Sequence, residues 1–221
     1  MQNSIVNHLV NDKELIMLPA FGGLILCSRF LSTGSLFFAF LIWNIILATV
    51  PLMLAFALNR SKRHSVFNYA ILLSWLLFLP NAFYIITDFK HLTVSRPDWV
   101  FFDSIMLFCF AVGGIYLGVK SILIIKEIWR PALTKKQWNF CLGLLFLACG
   151  FGIYLGRVLR WNSWDALRHP QELFLDIANR IIHPLTYAET WIFTLIYAGY
   201  IAMSYLFFSR LLKNNHERSK A

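Results

Sequence analysis

Long apolar runs alternate with short polar stretches along almost the whole chain. Six runs, at roughly 15–33, 36–58, 66–88, 99–125, 138–158 and 186–209, approach or reach the ~20 residues that an α-helix needs to cross a hydrocarbon core about 30 Å thick. The first is the most interrupted, by Pro19, Gly22, Gly23 and Arg29. It reads as a short or re-entrant helix whose Arg29 reaches out to the head groups. Between the fifth and sixth runs lies "HPQELFLDIANRIIHP". There Pro170 suits a helical first turn, and Leu173, Phe174, Ile177, Ala178 and Ile181 recur at helical spacing, opposite Gln171, Asp176, Asn179 and Arg180. That pattern predicts an amphipathic helix lying on a membrane surface and stopping before Pro184. The predicted fold is an all-α polytopic integral membrane protein with six transmembrane helices and this interfacial helix. We expect one domain over 1–221, with a polar N-terminus at 1–14 and a basic tail at 210–221.

Composition agrees: 58% of the residues are hydrophobic and 14% are charged, against about 25% charged in soluble domains. The charges also fix an expected orientation. If both termini and the loops near 59–65 and 126–137 share one side, that side carries 13 of the 20 Lys and Arg, Lys120 included, and only four acids. The other side balances seven basic residues against seven acidic ones. The positive-inside rule makes the first side cytoplasmic. The clusters, including "NRSKRH" and "RLLKNNHERSK", are short and juxtamembrane. They suit anionic lipid, so no nucleic-acid partner is expected. The N-terminus lacks the basic n-region of a signal peptide. Cys27, Cys109, Cys141 and Cys149 fall inside apolar runs without a CxxC, as packed thiols do.

Polarity at membrane depth is the departure from this plain pattern. "LPNAFYIITDFKHL" ends the third run with polar groups that cost free energy unless paired. Continued as α-helix beyond Pro80, it places Asn81, Tyr84, Asp88 and His91 on one stripe, with Thr87 at its edge. Asn81 also suits repair of the kink that Pro80 makes. Asp103 falls one turn below Trp99 on the fourth run. "GRVLRWNSWD" puts Arg157, Arg160, Trp161 and Trp164 on one face if helix continues, with Asp165 closing the motif and Glu189 a turn into the sixth run. Acids on helices three, four and six thus face the arginines of helix five, Arg157 pairing with Asp103 or Glu189. A structural salt-bridge cluster and a ligand site are both open readings. Arginine forks beside tryptophan suit an anionic lipid or a lipid-linked precursor. Asp88 and His91, like His169 and Glu172, stand at i and i+3, but no HExxH or cysteine pair is present, so no metal and no cofactor are expected. Walker A, GxGxxG and GxSxG motifs are also missing.

The pentapeptide GIYLG occurs twice, at Gly114–Gly118 and Gly152–Gly156, as a small-xxx-small spacing that permits close helix packing. Beyond these local readings, "SWLLFLPNAFYIITDFKHL" resembles the signature W-x-x-F-L-P-N-x-x-Y-x-x-T-D of the bacterial membrane proteins grouped as domain of unknown function 1361. It falls here on Trp75, Phe78, Leu79, Pro80, Asn81, Tyr84, Thr87 and Asp88. "LIWNIILATVPLMLA" (Leu41–Ala55) and "GRVLRWNSWD" (Gly156–Asp165) are similar to its other recurring segments. The resemblance runs from Leu36 to the last helix and implies a multi-helix protein of the bacterial inner membrane. It lends no reaction, cofactor or partner. Three functions are compatible with the residues: a binding or accessory protein for an anionic lipid or a partner subunit, a membrane enzyme on an extracytoplasmic lipid-linked substrate with Asp88 as base, and a small transporter. The transporter would need polar residues continuing to the inner face, where helices three and five are nearly all apolar; Asn68 and Ser74, with Asn44 on helix two, are the main exceptions.

Overall fold

The computed structural model describes residues 14–60, 66–129 and 132–218. The described residues are helical or in short turns, with no strand. In chain order the helices are α1 (Glu14–Thr33), α2 (Phe40–Arg60), α3 (Val66–Tyr84), α4 (Val100–Trp129), α5 (Lys135–Arg157), α6 (Asp165–Arg168), α7 (Pro170–Ile182) and α8 (Ala188–Arg218). Two 3₁₀ segments, Ile85–Val94 and Pro97–Trp99, connect α3 to α4. Five stretches are long and apolar enough to cross a membrane: Phe40–Arg60, Val66–Val94, Pro97–Trp129, Lys135–Arg157 and Ala188–Leu212. Met17–Thr33 is a shorter apolar helix, in keeping with the interrupted first run. This is an all-α, multi-pass membrane protein. Large apolar side chains such as Ile42, Trp43, Ile46, Met53, Ile192, Leu195 and Met203 point outward, as acyl chains rather than water allow.

The chain divides into two compact units, 1–131 with 206–221, and 132–205. In the first, α4 is the core. Gly114 and Gly118 let it approach α3, because a Cβ on Gly114 would lie 2.6 Å from the Ala82 carbonyl oxygen, and one on Gly118 2.8 Å from Phe83 Cζ. The first GIYLG copy is therefore a helix-packing device. Gly113 lies against Pro19 of α1, where an added Cβ would come within 3.1 Å of the proline ring. In the second unit Gly150 of α5 sits against the Thr194 carbonyl of α8. α5 opens with a capping box: Thr134 Oγ1 accepts from the Gln137 N–H, and Gln137 Oε1 accepts from the Thr134 N–H at 2.9 Å.

Three local expectations need correction. α3 does not continue as α-helix through His91; it tightens to 3₁₀ from Ile85. The Thr87 hydroxyl donates to the Tyr84 carbonyl at 2.7 Å, and that of Thr93 to Lys90 at 2.9 Å, local bonds that compete with the α-helical ladder. α5 stops at Arg157 and does not carry one face on to Trp164. Val158 donates back to the Tyr154 carbonyl and Trp161 to that of Leu155, while Arg160 takes φ +63°. That left-handed conformation ends helices, though it usually falls to glycine. Arg29 does not reach out from the protein surface; it is buried, 4% exposed. Its reason is an acid on the neighbouring helix, described next.

Candidate functional site

In the first unit the polar stretch at the end of α3 meets α2 and α4. In 3₁₀ geometry residues three apart eclipse, so Asp88 and His91 stand above one another on one ridge. Their closest atoms, Asp88 Oδ1 and His91 Nε2, are 4.0 Å apart. Asp88 is 2% exposed, and its Oδ2 accepts from Asn44 Nδ2 of α2 at 2.7 Å. The rings of Phe37 and Phe40, before and at the start of α2, pack on the His91 ring at 5.8 and 5.1 Å. Asn81 Nδ2 donates to the Phe78 carbonyl at 3.0 Å, three residues back, whereas the carbonyl that Pro80 deprives of its helical donor is that of Leu76. Thr87 is buried, and Tyr84 half-buried at the end of α3.

Asp103, fully buried on the first turn of α4, pairs with Arg29 of α1: Nε to Oδ1, 2.7 Å. The sequence left open whether Arg157 pairs with Asp103 or Glu189; the partner observed for Asp103 comes from the first helix. The guanidinium also lies 4.7 Å from the Phe38 ring centroid. Phe38 in turn touches Phe37 and Phe40, so an aromatic trio links the Arg29–Asp103 pair to the Asp88–Asn44–His91 group. The pair is made through one contact only. Arg29 Nη1 and Asp103 Oδ2 are both buried without a hydrogen-bond partner, leaving one donor and one acceptor of the pair open. Nearer the other end of α4, Lys120 is buried too, its Nζ 3.2 Å from the Tyr116 hydroxyl.

The remaining expected residues lie in the second unit. Asp165 caps its own turn, accepting from the Asn162 N–H at 2.7 Å and Asn162 Nδ2 at 3.2 Å. Trp161 Nε1 donates to Asp176 Oδ2 of α7 at 2.8 Å. Arg157 and Trp164 are half-buried, whereas Arg160 and Glu189 are exposed. α7 is amphipathic as expected, with Phe174, Leu175, Ile181 and Ile182 outward. Of its polar side, Arg180 turns inward while Gln171 and Asn179 stay exposed. Arg180 is 8% exposed, donates from Nη1 to the Asp176 carbonyl at 2.8 Å, and lies over the rings of Tyr187 (4.9 Å) and Tyr154 (5.8 Å). Burial opposes its charge, but Tyr154, Asp176 and Tyr187 outweigh that and hold the guanidinium above its ordinary pKa.

Arg29, Asn44 and Arg180 were not among the residues that the sequence singled out for a site. For Arg29 a signal existed, since a buried Asp103 needs a cation and Arg29 is the one charge inside the first run. Asn44 and Arg180 gave none, because spacing does not report a partner on another helix.

Among the described residues, no three or more His, Cys, Asp or Glu gather as a metal site would require. The polar groups can donate, accept and pair charge at one end of the first unit, and can hold α7 in the second. No curated protein and no solved structure matches the chain. A family model, that of a protein of unknown function (DUF1361), matches residues 43–204, which contain Asn44, the α3 signature, Asp103 and the α5 end motif. The chain therefore belongs to the DUF1361 family.

Proposed function

We propose that the chain is a membrane-embedded binding protein that holds a lipid head group at the polar end of its first unit. In this reading it lies in a bacterial cytoplasmic membrane with both termini inside, and Asn44, Asp88, His91, Arg29 and Asp103 face outward. The observation that carries it is the half-satisfied pair. Arg29 Nη1 and Asp103 Oδ2 lie buried with nothing to bond to, and a buried polar group left unmade costs about 1–3 kcal/mol, more when charged. A hydroxyl-bearing head group answers both at once. It accepts from the guanidinium and donates to the carboxylate, and the pair's charges already cancel.

Native mass spectrometry of protein released from detergent tests this, with Asp88→Asn and Asp103→Asn beside the wild type. We expect a stoichiometric lipid adduct on the wild type that both variants lose. A bare wild-type mass, or an adduct indifferent to both substitutions, would overturn the reading.

Transport is a second reading, favoured by one observation. α4 buries a charged residue near each end, Asp103 and Lys120, about 25 Å apart along a helix. Flux across proteoliposomes that Lys120→Met abolishes would replace binding with passage.

A further inference from the structure

We propose that Arg180, Thr190 and Trp191 form an anion site in the second unit, built to take a phosphate group. The site is independent of the one in the first unit. Its argument is a count of donors. Arg180 Nε, Thr190 Oγ1 and Trp191 Nε1 are all buried with no hydrogen-bond partner, and Arg180 and Thr190 are nine-tenths or more enclosed as whole residues. All three carry a proton to donate, and the guanidinium and the indole have no accepting role at all.

The three belong to one cluster. Arg180 lies over Tyr187, and the Thr190 N–H donates to the Tyr187 carbonyl at 2.9 Å where α8 begins. The Trp191 ring stacks on Phe151 at 6.0 Å, Phe151 on Tyr154 at 6.4 Å, and Tyr154 carries the other side of the Arg180 guanidinium. The first turn of α8 adds its own positive dipole end.

Asp176 does not use up this capacity. Its Oδ1 is 3.4 Å from Arg180 Nη1, a long contact, and its Oδ2 is held by Trp161. Arg180 thus keeps Nε for another acceptor. A group with several acceptor oxygens and a negative charge is what three unpartnered donors within one cluster, one of them cationic, can recognise. Phosphate is the common group of that kind at a membrane surface. The exposed Phe174, Leu175, Ile181 and Ile182 of α7 would rest in the acyl layer beside it.

The phosphate has two possible sources, a lipid or the solution. The test is retention of phosphatidic acid by the full chain in phosphatidylcholine nanodiscs, read by native mass spectrometry with and without excess inorganic phosphate. Arg180 also holds α7 in place, so Trp191→Phe and the near-isosteric Thr190→Val carry the test, and Arg180→Lys is a third variant. One hydrogen bond to a charged group is worth about 1.5–3 kcal/mol, so each of the first two variants should weaken retention about tenfold or more. Retention that survives inorganic phosphate identifies a lipid site, and displacement identifies a free-phosphate site. Equal retention by the wild type and all three variants overturns the proposal.

Discussion

Arg29 and Asp103 show how far a single charged residue depends on its partner. Both lie inside apolar helices, and each is tolerated because the other neutralises it. Removing one should therefore be worse than removing both. Asp103→Ala leaves a guanidinium buried and should lower stability by about 3–5 kcal/mol. The double variant Arg29→Met with Asp103→Leu should recover most of that loss, as read from thermal unfolding in detergent. Equal losses in single and double variants would mean that the pair is not coupled. At this scale the sequence was legible where chemistry is local. Asn81 and Asp165 each find a partner within their own motif, Phe78 and Asn162. It was illegible where the partner sits on a distant helix. Nothing near Asp88 in sequence names Asn44, and nothing near Asp103 names Arg29.

Among the elements, those governed by hydrophobic length were the easiest to read. The long spans and the in-plane α7 follow from run length and period, and their bounds shift by only a few residues. Elements governed by hydrogen-bond competition were not readable, which is why the 3₁₀ segment Ile85–Val94 and the break after Arg157 departed from expectation. The glycines of α4 and α5 are a sharper case, since a small residue marks either a close approach or nothing. Gly114→Ala and Gly150→Ala put a methyl group into a neighbouring carbonyl and should destabilise the fold markedly. Gly143→Ala and Gly199→Ala have open space around the new methyl and should be neutral or stabilising by up to about 1 kcal/mol. Thermal unfolding of the four variants checks this, and similar losses in all four would remove the packing argument.

For the whole molecule, orientation is the property on which both site proposals rest. The charge imbalance predicts that the ends of α5 and α7 lie outside the cell. In a chain whose four cysteines are replaced by alanine, Leu167→Cys should react with a membrane-impermeant maleimide on intact cells, and Thr134→Cys only after permeabilisation. The reverse pattern would turn the polar end of the first unit inward. The 3₁₀ segment adds a consequence for reach. It advances about 2.0 Å per residue against 1.5 Å for α-helix, so its ten residues lengthen the Val66–Val94 stretch by about 5 Å. Asp88 then stands about 36 Å along the axis from Val66, beyond a hydrocarbon slab of about 30 Å. With Val66 at one boundary of that slab, the tightened helix carries the buried carboxylate to the depth of the phosphates and glycerols at the other. The thickness of the surrounding bilayer then becomes a variable that sets how wet Asp88 is.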